Sequence, residues 1–471
     1  MSITVATELW RMGAGELAGI VRGRGASARE VVEAHLRRIE AVNASVNAVT
    51  AVLAETALDA ADAADRAVAA GGELPPLLGV PFTVKANIDL AGTPTTLGLR
   101  ALADAVPDLD APAVDRLRVA GAIPLGRTNC PTLAVRWHCD SELWGATVNP
   151  WDASRTPGAS SGGEAAAIAT GMSPLGLGND GLGSLRWPAQ CCGVAALKPT
   201  LGRIPHATAL ELADPSIGVQ LAGVQGPMAR HIGDLRAALA VLAGPSWRDP
   251  WSVPAPLEGP PVPAPVGVAL VTDPGGGGTA PQVRDGVARA ARALADAGYA
   301  VDEVEPPSIG LAARTLLDML NTPDVRALWA ETARLVPPAT QRFFDQFYAV
   351  AGPSDPVATL RAFSVRESLA RAWAGFQETR PLIVAPVYAD VPFEAGTDLD
   401  DGQTAEIVHG MRMTLAVNAL GLPAVAVPVG VSDGLPQAVQ VIGPRYREDL
   451  CLDAAQAIED RLGVLTPIDP R

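Results

Sequence analysis

Pro157-Gly158-Ala159-Ser160-Ser161-Gly162-Gly163-Glu164, followed by Gly178-Asn179-Asp180-Gly181-Leu182-Gly183-Ser184-Leu185-Arg186, is the stretch whose reading decides the fold. Two serines in it, Ser160 and Ser184, are each bracketed by glycines. Glycine lets the backbone turn tightly and lets N–H groups approach a ligand with no side chain in the way. A phosphate-cradling loop would need Gly-Lys-Ser/Thr at its end, whereas Gly163 is followed by Glu164, an anion in the wrong place. A pair of structural turns is the plain alternative, because serine is an ordinary turn residue. The third reading is nucleophilic catalysis, in which a neighbouring base activates a serine hydroxyl and backbone N–H groups hold an oxyanion.

The base decides the kind of serine chemistry. None of the five histidines, His35, His138, His206, His231 and His409, lies in the stretch, and no Gly-x-Ser-x-Gly elbow surrounds Ser184. A histidine could still approach through space. A lysine is the natural substitute, since burial disfavours the ammonium. Lys85 ends the run Gly79-Val80-Pro81-Phe82-Thr83-Val84, where a strand would carry it inward. That is an unusual place for a residue that mostly stays exposed.

These motifs together resemble the amidase signature family. The resemblance rests on Gly79-Val80-Pro81 with Lys85 and Asn87, on Gly158 to Glu164, and on Gly178 to Pro188. It extends to Leu197-Lys198-Pro199-Thr200, Gly226 to Arg230 and Gly421-Leu422-Pro423-Ala424, covering roughly residues 27–245 and 380–460. It implies an α/β fold: a single large domain over 1–471, with a central twisted mixed β-sheet covered by helices on both faces. It also implies a catalytic triad, with Ser184 as nucleophile, Ser160 as bridging serine (in a cis peptide in the family) and Lys85 as base. Gly181, Leu182, Gly183 and Ser184 would supply the oxyanion hole from their backbone, and Asp180, Arg186, Asn179 and Ser161 would hold the loop. Members hydrolyse amides, anilides and, in some branches, carbamates; aryl acylamidases, urethanases and fatty-acid amide hydrolase are among them. One branch is the glutaminase subunit of a transfer-RNA amidotransferase, and a catalytically silent binding protein of the same fold is a further alternative.

One departure concerns Leu182, where the family usually has glycine. Leucine still supplies the N–H but tolerates positive φ poorly, so Gly181 beside it is expected to absorb the unusual dihedral.

Composition bounds the rest. Net charge is −15, from 36 basic and 51 acidic residues, which argues against a nucleic-acid surface. The five cysteines are irregularly spaced, with no metal-ligand pattern, so neither metal nor other cofactor is expected. Cys191 and Cys192 read as buried small residues in a reducing compartment. Residues 1–24 lack a signal-peptide pattern and no run of 18 apolar residues occurs, so a cytoplasmic protein off the membrane is expected, a monomer or homodimer acting on a small amide or carbamate.

Along the chain, Ser27-Ala28-Arg29-Glu30 is a capping box opening a helix, with His35 on its surface. An Ala-rich helix is expected over 49–70 and another over 112–120, with strands over 80–84 and 123–126. Prolines 245, 250, 254, 256, 260, 261 and 263 mark a stiff connection, and Gly275 to Gly278 a mobile loop. A strand over 266–271, a helix over 283–297 and a strand over 301–304 follow. Residues 308–380 turn helical as the family pattern fades, and strands over 383–387 and 424–429 are expected to complete the sheet. Phe343, Phe344 and Phe347, with Trp137, Trp144 and Trp187 near the catalytic stretch, are the candidate apolar wall for a substrate. Ordinary helix packing is the plain alternative for them.

Overall fold

The computed structural model describes residues 8–209 and 215–471; the first residues of the stretch read for a signal peptide fall outside it. Strands form in chain order as β1 Val49–Val52, β2 Pro81–Lys85, β3 Ile123–Thr128, β4 Asp140–Ser141, β5 Gly145–Ala146, β6 Leu175–Asp180 and β7 Ala195–Lys198. They continue as β8 Val224–Ala229, β9 Gly267–Leu270, β10 Ala300–Glu303, β11 Leu382–Pro386, β12 Ala424–Ser432 and β13 Leu435–Ile442. β4 and β5 make a small hairpin, and the other 11 join one sheet in the order β1-β3-β2-β6-β8-β7-β12-β13-β11-β9-β10. β2 runs parallel to β3 and β6, and β9 parallel to β10 and β11, while the central pairs are antiparallel. The sheet is therefore mixed.

Helices cover both faces, and the period-2 alternation of the strands shows it. On β11, Ile383 and Ala385 join Ala269, Ile309, Trp373 and Val417 in one core, whereas Leu382 and Val384 join the larger core on the other face. Strands buried on both faces read as continuous apolar runs, which is why Leu382–Pro386 and Ala424–Val429 were visible in the sequence.

The expected capping box is present: Ser27 Oγ accepts from the Glu30 N–H, and Glu30 returns to the Ser27 N–H at 2.8 Å. Proline opens the helices Pro112–Val119, Pro281–Asp296, Pro323–Thr332, Pro338–Ala351 and Pro356–Gln377, where its missing N–H has no intrahelical partner to lose.

Three expectations need correction. Val49–Val52 is strand β1, and the Ala-rich helix starts only at Ala54. His35 is fully buried, not on a helix surface; its Nδ1 donates to the Val31 carbonyl at 2.8 Å, and burial pushes its pKa down to about 4. The sheet is not completed by β12, because β13 lies between β12 and β11. The Gly275 to Gly278 loop is held by His409, whose Nε2 donates to the Gly277 carbonyl, and by Arg412, which donates to the Pro274 carbonyl.

Candidate active site

β2 is buried along its whole length and ends in Lys85, which has no solvent exposure. The Lys85 ammonium donates to Ser160 Oγ at 2.6 Å and to Asn179 Oδ1 at 2.6 Å. Burial lowers its pKa to about 8, against the pull of the surrounding acidic groups. A useful fraction of a group with that pKa, roughly a tenth, is neutral at pH 7.

Ser160 follows a cis peptide bond from Ala159 and precedes the helix Gly162–Ala169. That helix starts hard against β3: a Cβ on Gly163 would strike the backbone N and O of Asn129. Glycine is needed there for close approach.

β6 delivers Asn179 and Asp180, the chain turns through Gly181 to Leu185, and the helix Arg186–Cys192 begins. Asp180 organises the turn. Its carboxylate accepts from the N–H of Gly183 at 2.8 Å and of Leu185 at 3.3 Å, from Arg186 Nε at 3.0 Å and Nη2 at 3.1 Å, and from Asn418 Nδ2 at 2.9 Å. Burial raises its pKa, but the Arg186 guanidinium outweighs that and holds the carboxyl well below the usual range. Arg186 spends its other donors on Asn418 Oδ1 at 2.5 Å, Gln440 Oε1 at 2.8 Å and the Thr414 carbonyl. The Ser161 N–H donates to the Ser184 carbonyl at 3.2 Å, which lays the two serine segments side by side.

The backbone of the turn resolves the Leu182 departure. The left-handed conformation falls on Gly183 (φ 98°), and neither Leu182 nor Gly181 adopts a positive φ. Gly181 is thus not the residue that absorbs the strain, and leucine is accommodated at 182. Gly183 also differs from the expected oxyanion set, because its N–H is committed to Asp180. The N–H groups of Gly181, Leu182 and Ser184 bond no acceptor among the described residues, and neither does the half-buried Ser184 hydroxyl.

Of the candidate wall, the structure gathers five members. Trp187, one turn after Ser184, donates from Nε1 to the Trp137 carbonyl at 3.2 Å. Trp137 meets Phe343 edge-on at 6.3 Å, and Phe343 contacts both Phe344 and Phe347. Tyr388 and Phe393 pack on Trp187 and were missed. Trp144 is the exception: it is 40% exposed beside the β4–β5 hairpin and makes no ring contact among the described residues. A cavity of about 560 Å³ lies beyond Tyr388 and Phe393, lined also by Asp390, Glu394, Glu406 and His409; Lys85, Ser160 and Ser184 do not line it.

Sequence reasoning also missed Thr414, Asn418, Gln440 and Glu164. The signal was there in outline, since Asn418 and Gln440 are polar residues inside the apolar runs Leu415–Leu420 and Leu435–Ile442.

The amidase family model matches residues 30–452. This chain belongs to the amidase signature family. An indoleacetamide hydrolase of Bradyrhizobium diazoefficiens is 42% identical over 462 residues, covering 97% of this chain and 88% of that protein. A glutamyl-tRNA(Gln) amidotransferase subunit of Acidothermus cellulolyticus is 33% identical, over 96% of this chain and 95% of that one. The crystal structure of a bacterial aryl acylamidase superposes with a TM-score of 0.82 at 26% identity, over 95% of this chain and 96% of that one. The amidase is an amidohydrolase that cleaves C–N bonds of amides. Among its described residues no helix is long and apolar enough to cross a membrane, and no group of three or more metal-ligating side chains occurs.

Proposed function

We propose that this amidase hydrolyses neutral amides with an aromatic acyl or amine part, arylacetamides and anilides, through Lys85, Ser160 and Ser184. The observation that carries the chemistry is a fully buried lysine bonded at 2.6 Å to a serine hydroxyl. Neutral Lys85 takes the Ser160 proton while Ser160 takes that of Ser184, and Ser184 Oγ attacks the carbonyl carbon. Negative charge gathers on the carbonyl oxygen, toward which the uncommitted N–H groups of Gly181, Leu182 and Ser184 are available. The C–N bond breaks as the proton returns through Ser160 to the departing amine. Water then attacks the acyl ester with the same relay, releasing the carboxylic acid and restoring Ser184.

The substrate class is supported by the aromatic cluster around Trp137 and Trp187 and by the indoleacetamide hydrolase among the relatives. An unpaired charge buried against such a wall costs several kcal/mol, whereas each buried methylene gains roughly 0.8 kcal/mol. Carbamates present the same carbonyl and leave a carbamoyl ester that water attacks less readily. The test is a kcat/KM series on the purified chain alone, comparing indole-3-acetamide, phenylacetamide, acetyl and benzoyl anilides, a phenylcarbamate and glutamine. Indole-3-acetamide or an anilide should lead. Glutamine leading would reject the aromatic pocket and favour the amidotransferase branch.

A further inference from the structure

We infer that Glu164 is a positioning residue for the amide hydrolysis: it ties the strand carrying Lys85 to the helix that follows Ser160, and its charge sets how readily Lys85 releases a proton. The inference rests on the reading of Lys85 as base.

Glu164 is an acid where packing alone does not call for one. It is fully buried in Gly162-Gly163-Glu164-Ala165-Ala166-Ala167-Ile168-Ala169, a helix otherwise made of small and apolar residues. At the third helical position it could return to the N–H of Ser161 as a capping-box partner. It does not, because that N–H is given to the Ser184 carbonyl. Its carboxylate instead accepts from Thr83 Oγ1 and from Thr128 Oγ1, the latter at 2.6 Å.

Both donors flank the base. Thr83 lies two residues before Lys85 on β2 and so points to the same face. Thr128 is the register partner of Lys85 on β3. On the other side Thr83 is paired with Gly176 of β6, where a Cβ would collide with the Glu164 carboxylate. The carboxylate thus lies against three adjacent strands on the Lys85 side of the sheet, at the foot of the helix that follows Ser160. Moving it would shift Lys85 and Ser160 relative to each other.

The electrostatics couple the same groups. Burial raises the Glu164 pKa to about 7, while the hydroxyls of Thr128 and Thr83 and the charges of Lys85 and Arg127 oppose the rise. Lys85 in turn feels Cys130, Cys139, Asp180 and Glu164. A charged Glu164 favours the Lys85 ammonium, so removing its charge should let Lys85 lose its proton at lower pH. A glutamine would fill the same space without a buried charge, which is costly to desolvate.

The experiment follows the rate at which a fluorophosphonate labels Ser184 as a function of pH, alongside kcat/KM for indole-3-acetamide. In Glu164→Gln the acid limb of both profiles should move to lower pH by about half a unit or more. In Glu164→Ala, which also loses the clamp, the alkaline plateau should fall about tenfold or more. Thr128→Val, which removes one donor and so keeps Glu164 protonated to higher pH, should move the limb the same way by less. It serves if Glu164→Gln does not fold. Acid limbs that stay at the wild-type pH in both Glu164→Gln and Thr128→Val overturn the inference, whatever happens to the rate, and so does a wild-type enzyme whose Ser184 takes no label. Failure to hydrolyse indole-3-acetamide with labelling intact counts only against the substrate class, since the limb is still read from the label.

Discussion

The catalytic stretch and the helices of 308–380 are built on opposite principles. Around Ser184 the chain buries Lys85, Glu164, Asp180, Arg186 and Lys198, each with almost no exposure and each hydrogen-bonded, Lys198 to the carbonyls of Pro199 and Leu422. Across 308–380 the interior is mostly apolar, with Leu316, Leu317, Phe343, Phe347, Tyr348 and Trp373 among its buried side chains and no buried charge among its described residues, while Leu328, Leu335, Val357 and Leu360 stand exposed on the outside. Apolar packing needs roughly the right volume and tolerates exchange; buried charges need every partner. The first region can therefore fix a reaction, and the second can vary what is brought to it.

The sharpest way to break this contrast is Ser184→Ala. Turnover should fall more than about 10³-fold while the melting temperature stays within a few degrees of wild type, because members of one catalytic unit fail together. An acyl-enzyme detected by mass spectrometry in that variant would reject Ser184 as nucleophile.

Lys85 comes next. If Lys85 is the base, its ammonium is the inactive form; burial lowers its pKa to about 8, so kcat/KM should climb as pH rises toward about 8 and level off above it. Lys85→Arg should be nearly as damaging as Lys85→Ala, since a guanidinium keeps its proton. A variant with arginine retaining about a tenth of the wild-type rate, a loss of only ~1.4 kcal/mol, would argue against proton acceptance.

In the aromatic region Phe343→Ala should cost about 3 kcal/mol of stability, read from the urea midpoint. If Phe343 also shapes the pocket, kcat/KM should drop for indole-3-acetamide and hardly at all for acetamide. An equal drop for both would reduce the residue to packing.

Trp144→Ala should do least, within about 0.5 kcal/mol of stability and with unchanged kinetics, because the ring is exposed and contacts no other ring among the described residues. A marked rise in KM would return Trp144 to the pocket.

What was legible in the sequence follows the same divide. The glycine-bracketed serines and Lys85 stood out because small residues and an inward lysine are rare in such runs. The capping box was legible because both of its partners lie in one helical turn. Asn418 and Gln440 stood out only as polar residues within apolar runs, and their role was hidden because their partner Arg186 lies more than two hundred residues away in the chain. His35 misled for a local reason: it follows Val31 by four positions and so shares its buried stripe, where its Nδ1 is satisfied by the Val31 carbonyl. Val49–Val52 was absorbed into the alanine run behind it, although Val-Thr-Ala-Val is poor helix and good strand.

The seam through β12 and β13 has a consequence for how the molecule is made. Those two strands join the half of the sheet that ends in β7 to the half that begins at β11, and the helix just before them supplies Asn418 to Asp180 and Arg186. All three pieces leave the ribosome after every other strand of the sheet. Until they arrive, the growing chain holds two half-sheets with open edges and a Ser184 turn whose Arg186 lacks three of its acceptors, the Thr414 carbonyl, Asn418 and Gln440. A chain cut short before Asn418 should therefore emerge with Ser184 present and the turn around it unset.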